Sequence, residues 1–66
     1  MKVFHNDIST EVPEGTTIAA LLRQLELEPR YLAVEVNFKL ISRTEHNGHV
    51  LQDGDRLEIV TLVGGG

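Results

Sequence analysis

The 66-residue sequence contains no cysteine and no tryptophan, and it has only two prolines. Without cysteine the chain has no disulfide framework, no thiolate metal ligand and no thiol nucleophile. The sequence also has no apolar run long enough to cross a membrane, and residues 1–5 lack the apolar region and cleavage site of a signal peptide. We therefore expect a cytoplasmic protein with no membrane partner, in which 41% hydrophobic residues form one small core.

Positive charge is scarce as well. Six Lys and Arg residues stand against ten Asp and Glu residues, which gives a formal net charge of −4. Binding to nucleic acid requires clustered basic side chains, so nucleic acid is not expected as a partner. The acidic balance instead favours a protein partner with a basic docking face.

The side chains that could support catalysis or metal binding are scattered. His46 and His49 are three residues apart, but no cysteine and no well-spaced carboxylate accompanies them, so we expect no metal site. We interpret both histidines as solvated loop residues. The glutamates form no evident acid–base pair, and no residue is predicted to be catalytic. Arg43 could either anchor its loop on a carboxylate or contact a partner.

Hydrophobic periodicity predicts a hairpin followed by a helix. Residues 1–5 and 8–12 are predicted strands on either side of the turn-prone pair Asn6-Asp7. Ile18, Leu21, Leu22 and Leu25 follow the i, i+3, i+4, i+7 spacing of an amphipathic helix. Thr16 or Thr17 is expected to cap this helix, and Pro29 is expected to end it.

The second half of the chain predicts three more strands. Residues 31–37 form the third strand, Leu40-Ile41 form a short fourth strand, and residues 42–48 are irregular. Val50-Leu51 returns to the core, and Asp53-Gly54-Asp55 predicts a turn before the last strand, residues 56–63. The order of elements indicates an α+β fold in which one helix covers one face of a sheet.

The sequence ends in Val63-Gly64-Gly65-Gly66. Glycine has no side chain, so these residues predict a thin, flexible tail, residues 64–66, after a single domain of residues 1–63. Such a tail could thread a narrow channel and present the α-carboxylate of Gly66 to a reactive centre. Taken alone, three glycines are more often a frayed terminus than a functional tail.

Together these features resemble the ubiquitin-like β-grasp sulfur carriers, most closely those of thiamine biosynthesis. The resemblance covers the whole chain and rests on its length, its order of elements and three motifs. The motifs are Val36-Asn37 after the third strand, Ile41 followed by Arg43, and Leu51-Gln52-Asp53-Gly54-Asp55 a short strand before the terminal glycines. Phe38 departs from the usual Gly or polar residue, and His46 departs from a frequent aromatic residue.

The resemblance implies a mixed sheet of four to five strands, one main helix and a flexible Gly-Gly tail. It implies a non-catalytic carrier that binds no cofactor itself. An E1-like adenylyltransferase would use ATP to adenylate Gly66. A cysteine desulfurase or other persulfide donor would then supply sulfur, leaving a thiocarboxylate for thiazole synthase. Gly64 and Gly65 would lie in the channel of the partner enzyme.

The last strand also predicts a docking surface. If Leu57 and Ile59 face the helix, Val60 and Leu62 point away from it, and Phe4 shares their face if the first and last strands are neighbours. A cluster of exposed apolar residues is typical of a binding surface. We therefore predict that Phe4, Val60 and Leu62 contact the partner enzymes, although scattered apolar residues are also ordinary on protein surfaces.

Several alternatives stay open at the level of sequence. The same tail would suit a sulfur carrier for molybdopterin, cysteine or tRNA thiolation. It would also suit a ubiquitin-like modifier, in which Gly66 forms an isopeptide bond to a lysine. A β-grasp adaptor with an inert tail is the third class. The acceptor pathway, the immediate sulfur donor and the oligomeric state do not follow from the sequence.

Overall fold

A computed structural model describes residues 1–62, which form one mixed five-stranded sheet and one α-helix. The strands are β1 (Lys2–His5), β2 (Ile8–Glu11), β3 (Leu32–Val36), β4 (Lys39–Ile41) and β5 (Arg56–Thr61), and the helix is α1 (Ile18–Gln24). Short 3₁₀ turns cover Pro29–Tyr31 and Arg43–Glu45. The strand order is β2-β1-β5-β3-β4, so β5 is central, parallel to β1 and antiparallel to β3. The predicted α+β fold is confirmed, and the condition that the first and last strands are neighbours is met.

The two hairpin turns are held against the central strand by asparagine side chains. Asn6 and Asp7 have positive φ angles of 50° and 67°, and Asn37 and Phe38 have 51° and 70°. Positive φ at both central residues is the pattern of the type I′ turns that suit twisted hairpins. The Asn6 side chain donates to the carbonyl of Ile59 at 3.0 Å and accepts from its amide at 2.7 Å.

The Asn37 side chain makes the equivalent contact at the other end of β5. Its Oδ1 accepts from the amide of Arg56 at 3.0 Å, and its Nδ2 donates to Oδ1 of Asp55 at 3.0 Å. Each hairpin turn is therefore bound to β5 by asparagine side-chain hydrogen bonds, in addition to the backbone hydrogen bonds between the strands.

The Asp53-Gly54-Asp55 turn joins the start of β5 to the start of β1. Gly54 has a φ of 87°, which a residue with a Cβ adopts only with strain. The Lys2 amide donates to Oδ1 of Asp53 at 2.8 Å, and the Gly54 amide donates to the carbonyl of Lys2 at 2.7 Å. Asp55 Oδ2 accepts from the amide of Gln52 at 2.8 Å and closes the turn. The motif thus positions the two neighbouring strands relative to each other.

Helix α1 begins where the sequence predicts. The Thr17 hydroxyl accepts from the amide of Ala20 at 3.1 Å, which is the N-cap hydrogen bond. The amides of Ile18 and Ala19 donate to carbonyls in the segment 46–49, each at 3.1 Å. These contacts satisfy the first amides of the helix and attach the irregular segment to it.

The end of α1 differs from the prediction. Glu26 has a φ of 59°, and its amide donates to the carbonyl of Arg23, while the Leu27 amide donates to the carbonyl of Leu22. This pair of bonds is a Schellman motif, with Glu26 in the left-handed position that glycine usually occupies. The helix therefore ends before Pro29, and Pro29 instead begins a 3₁₀ turn. The assignment of Pro29 as the residue that ends the helix was wrong.

The core lies between α1 and one face of the sheet. Its buried apolar residues come from the helix, from strands β1, β3, β4 and β5, from the residue after β2 and from the segment before β5. They are Val3, Val12, Ile18, Leu21, Leu22, Val34, Val36, Ile41, Leu51 and Leu57. Leu51 is in the core as expected. Val50 was also expected there, but it bridges to Thr17 and is 47% exposed.

His46 is a second correction, because it is buried rather than solvated. The residue is only 3% exposed, and the Nε2 atom of its ring lies 3.2 Å from the carbonyl oxygen of Ile41. The 3₁₀ turn Arg43–Glu45 folds the segment back toward α1, where the His46 carbonyl accepts from the amide of Ala19. His46 is thus buried because this turn packs against α1. The residues next to His46 in sequence do not indicate that packing.

Candidate functional site

The first part of the candidate site is the end of the central strand β5, which precedes the terminal residues of the chain. β5 finishes at Thr61, which pairs with Leu32, and the amide of Leu62 donates to the carbonyl of Tyr31 at 2.7 Å. Leu62 is therefore held beside the start of β3. Val63 and the predicted functional glycines Gly64, Gly65 and Gly66 lie outside the described residues. Their roles, and the boundary between domain and tail, stay predictions.

The sheet face opposite α1, here called the open face, is the second part of the candidate site. Its members alternate along the strands with core residues: Phe4 follows the buried Val3, and Glu58 follows the buried Leu57. Residues in register share a face, so Phe4 and Arg56 lie side by side, as do Ala33 and Val60. Leu62 continues the alternation one residue beyond β5.

The open face carries exposed apolar side chains, as expected. Val60 is 50% exposed, Leu62 is 51% exposed and Leu40 is 65% exposed. Phe4 is partly covered, because the Arg56 guanidinium lies 4.7 Å from the centre of its ring. The structure thus confirms that the first and last strands are neighbours and that Phe4 and Val60 share a face. Their role in docking stays a prediction.

The geometry divides the predicted docking surface into two apolar areas. Phe4 lies beside Arg56, whereas Val60 is four residues further along β5. At about 3.3 Å per residue, this places them roughly 13 Å apart along the strand. Glu58 lies between them on the same face. Leu40 was not predicted as a member, although its alternation with the buried Ile41 in β4 could have indicated it.

The middle of the open face is acidic. Glu35 on β3 and Glu58 on β5 are directly opposite each other, and neither makes an ion pair with any residue in the range 1–62. Like charges in directly opposite positions destabilise a sheet. Arg56, on the same face, is 3.6 Å from Asp7 and stacks on the ring of Phe4.

A small pocket lies where the two hairpin turns approach β5. Its volume is about 150 Å³, and its lining includes Phe4, Asp7, Asn37, Phe38 and Arg56. Pockets for small molecules usually measure about 300–1,000 Å³. Phe38 lines it and is 91% exposed, and its positive φ of 70° is unusual for a bulky residue. The volume of this pocket is therefore below the usual range for small-molecule sites.

Arg43 does not anchor its loop on a carboxylate among the described residues. It is exposed and lines a depression of about 220 Å³ on the helix side, together with Arg23 and the buried His46. Within residues 1–62 no group of three or more His, Asp or Glu side chains could hold a metal ion. In the same range, no helix has the length and apolar character needed to span a membrane.

Comparison with known proteins gives a consistent set of relatives. A family model described as the ThiS family matches residues 2–66. The sulfur carrier protein ThiS of Escherichia coli is 29% identical over 66 residues, which cover the whole of both chains. The thiazole synthase of Magnetococcus marinus is 38% identical over the whole of this chain, which spans only 20% of that protein. A thiazole synthase of Paramagnetospirillum magneticum matches in the same way, at 35% identity and 20% of its length.

A protein of known structure has the same fold. The crystal structure of the thiamine biosynthesis protein ThiS from Geobacter metallireducens superposes with a TM-score of 0.86, at 28% identity and full coverage of both chains. The mixed five-stranded sheet with one main helix is thus the ubiquitin-like β-grasp architecture.

Proposed function

Because this chain belongs to the ThiS family, we propose that it carries sulfur for the biosynthesis of thiamine. The observation that carries the proposal is the family match over residues 2–66, which extends through the terminal glycines. The full-length similarity to the Escherichia coli sulfur carrier supports it. In this proposal the reactive group is the α-carboxylate of Gly66.

The chemistry proposed for Gly66 proceeds through an activated acyl group. The carboxylate attacks the α-phosphate of ATP on an adenylyltransferase, which forms an acyl-adenylate and releases pyrophosphate. A persulfide sulfur, supplied by a cysteine desulfurase or another donor, attacks the acyl carbon and displaces AMP. Cleavage of the resulting acyl disulfide by a thiol leaves a thiocarboxylate, which is a stronger nucleophile than a carboxylate. The partners supply the catalytic groups, and the chain is their non-catalytic substrate.

Thiazole synthase is the acceptor that the relatives support. In two thiazole synthases, a region similar to this chain makes up a fifth of the protein. A carrier region within the same polypeptide is held at a high effective concentration near the enzyme. We therefore assign delivery of sulfur to a thiazole synthase, and we place the adenylyltransferase and the sulfur donor with it in the cytoplasm.

The open face is the proposed docking surface for these enzymes. The central strand β5 displays Val60, Leu62 follows one residue beyond the strand, and the terminal glycines come soon after it in sequence. A partner that binds this face would hold the start of the tail in a defined direction, and Gly64 and Gly65 would pass through its channel. Phe4 and Leu40 extend the same surface on either side of β5.

The proposal is tested by the intact mass of the chain after incubation with ATP, cysteine, an adenylyltransferase and a cysteine desulfurase. We expect a gain equal to the exchange of one oxygen for one sulfur, which a chain without Gly66 does not show. The Escherichia coli carrier serves as the positive control for the enzymes. An unchanged mass alongside a modified control would refute the proposal, and a conjugate to a lysine of another protein would identify a modifier instead.

A further inference from the structure

The central feature of the open face is a pair of glutamates that face each other across two strands. Glu35 and Glu58 are in register on β3 and β5, which are adjacent in the interior of the sheet. Their neighbours in sequence, Val34, Val36 and Leu57, are buried in the core, so both glutamates point away from α1. The fold thus places two carboxylates side by side near the middle of this face.

The charges of this pair are not compensated by the part of the chain that the structure describes. Residues 1–62 provide neither glutamate with an ion pair. Arg56 is the basic residue two positions before Glu58, but its guanidinium is near Asp7 and over Phe4. Lys39 is in register with Val36, which belongs to the core side of the sheet. Among residues 1–62, no basic side chain therefore offsets the repulsion between the two carboxylates through an ion pair.

The pair lies among exposed apolar residues. Leu40 is in register with Glu35, and Val60 follows Glu58 by two residues on the same face of β5. Glu35 thus lies beside Leu40, and Glu58 lies beside Val60, so a partner surface that covers both apolar residues also approaches both carboxylates. Burial of two like charges without compensation is strongly unfavourable, so such a partner must supply a positive charge at this point.

We propose that the open face binds a surface of thiazole synthase that inserts a basic side chain, an arginine, between Glu35 and Glu58. Arginine fits the arrangement because its planar guanidinium has five donors and can bind two carboxylates at once. The net charge of −4 on the chain favours association with a basic surface. This inference rests on the proposed function, since it names the chemistry by which one of the proposed partners recognises the carrier.

The test measures binding and folding stability on the same variants. Glu35→Gln and Glu58→Gln remove one charge each and keep the side-chain shape, and Glu14→Gln makes the same charge change in an exposed loop before α1. Binding to purified thiazole synthase from the same organism is measured by titration calorimetry at low and high salt, and stability is measured by urea unfolding. We expect the first two variants to bind about tenfold more weakly with reduced salt dependence, whereas Glu14→Gln binds like the unmodified chain.

Stability separates docking from a structural role. Removing either charge relieves repulsion, so the urea midpoint should stay equal or rise while affinity falls. Glu58→Lys should raise the midpoint further, because it places opposite charges across the two strands, and it should weaken binding most. Equal affinity of Glu35→Gln, Glu58→Gln and the unmodified chain would overturn the inference alone. Absence of binding by the unmodified chain would overturn the proposed thiazole synthase partnership and this inference with it.

Discussion

Val60 offers a direct test of the open face, because it can be changed without changing its shape. Val60→Thr replaces one methyl group by a hydroxyl and keeps the β-branched side chain that suits a strand. Val60 is 50% exposed in the free chain, so a hydroxyl there can be solvated. We expect the free energy of unfolding to change by less than about 0.5 kcal/mol, as for other surface substitutions.

The cost of this substitution should appear when the face is covered. The substitution removes one methyl group, whose full burial contributes about 0.8 kcal/mol, and roughly half of this remains available to a partner because Val60 is half exposed. A hydroxyl buried without a hydrogen-bonding partner adds about 1 kcal/mol or more. The sum is about 1.4 kcal/mol, which corresponds to a loss of about tenfold in kcat/KM for adenylation.

The assay is the rate of ATP–pyrophosphate exchange by the adenylyltransferase, measured as a function of carrier concentration. Ile8→Thr is the matched control, because Ile8 is a β-branched strand residue that is 59% exposed. It pairs with His5 on the other side of the sheet, so its substitution should leave kcat/KM unchanged. Equal kcat/KM for Val60→Thr, Ile8→Thr and the unmodified chain would refute the role of the open face in activation.

Three further predictions concern stability and the tail. Phe38→Gly should raise stability by up to about 1 kcal/mol in urea unfolding, because the side chain is 91% exposed and its left-handed backbone costs about 1–2 kcal/mol; a lower midpoint would contradict this. His46→Ala should lower stability by about 2 kcal/mol or more, because it leaves a cavity and removes the contact with the carbonyl of Ile41; an unchanged midpoint would show that the ring is not part of the core. Deletion of Gly65 and Gly66 should abolish the sulfur-dependent mass gain and leave the urea midpoint unchanged, since the core residues all precede the tail; a retained mass gain would refute the carrier chemistry.

Local features of the sequence account for most of the elements. The apolar spacing from Ile18 to Leu25 defined the face of α1, and Thr17 marked its beginning. The Asn6-Asp7 and Asp53-Gly54-Asp55 turns also formed where predicted, because their backbone preferences are local properties of these residues. The end of α1 was predicted wrongly, because Glu26 adopts a left-handed backbone conformation that glutamate does not favour.

The features that could not be predicted from the sequence depend on contacts between segments that are distant in the chain. Burial of His46 depends on the packing of its turn against α1, and no neighbouring residue signals it. The separation of Phe4 from Val60 follows from the parallel register of β1 and β5. Alternation placed both residues on one face only on the condition that the first and last strands are neighbours, whereas register decides which residues are adjacent across strands.

The sequence by itself determined the class of fold and the alternation of apolar residues along each strand, because periodicity and turn chemistry are local in the chain, and its motifs carried the resemblance to the sulfur carriers. Only the tertiary structure decided that Glu35 meets Glu58, that Leu40 joins the same surface and that His46 enters the interior. These relations join residues that are far apart in sequence. Their physical cause is the pairing of strands and the packing of the loop on the helix, which depend on the whole chain at once.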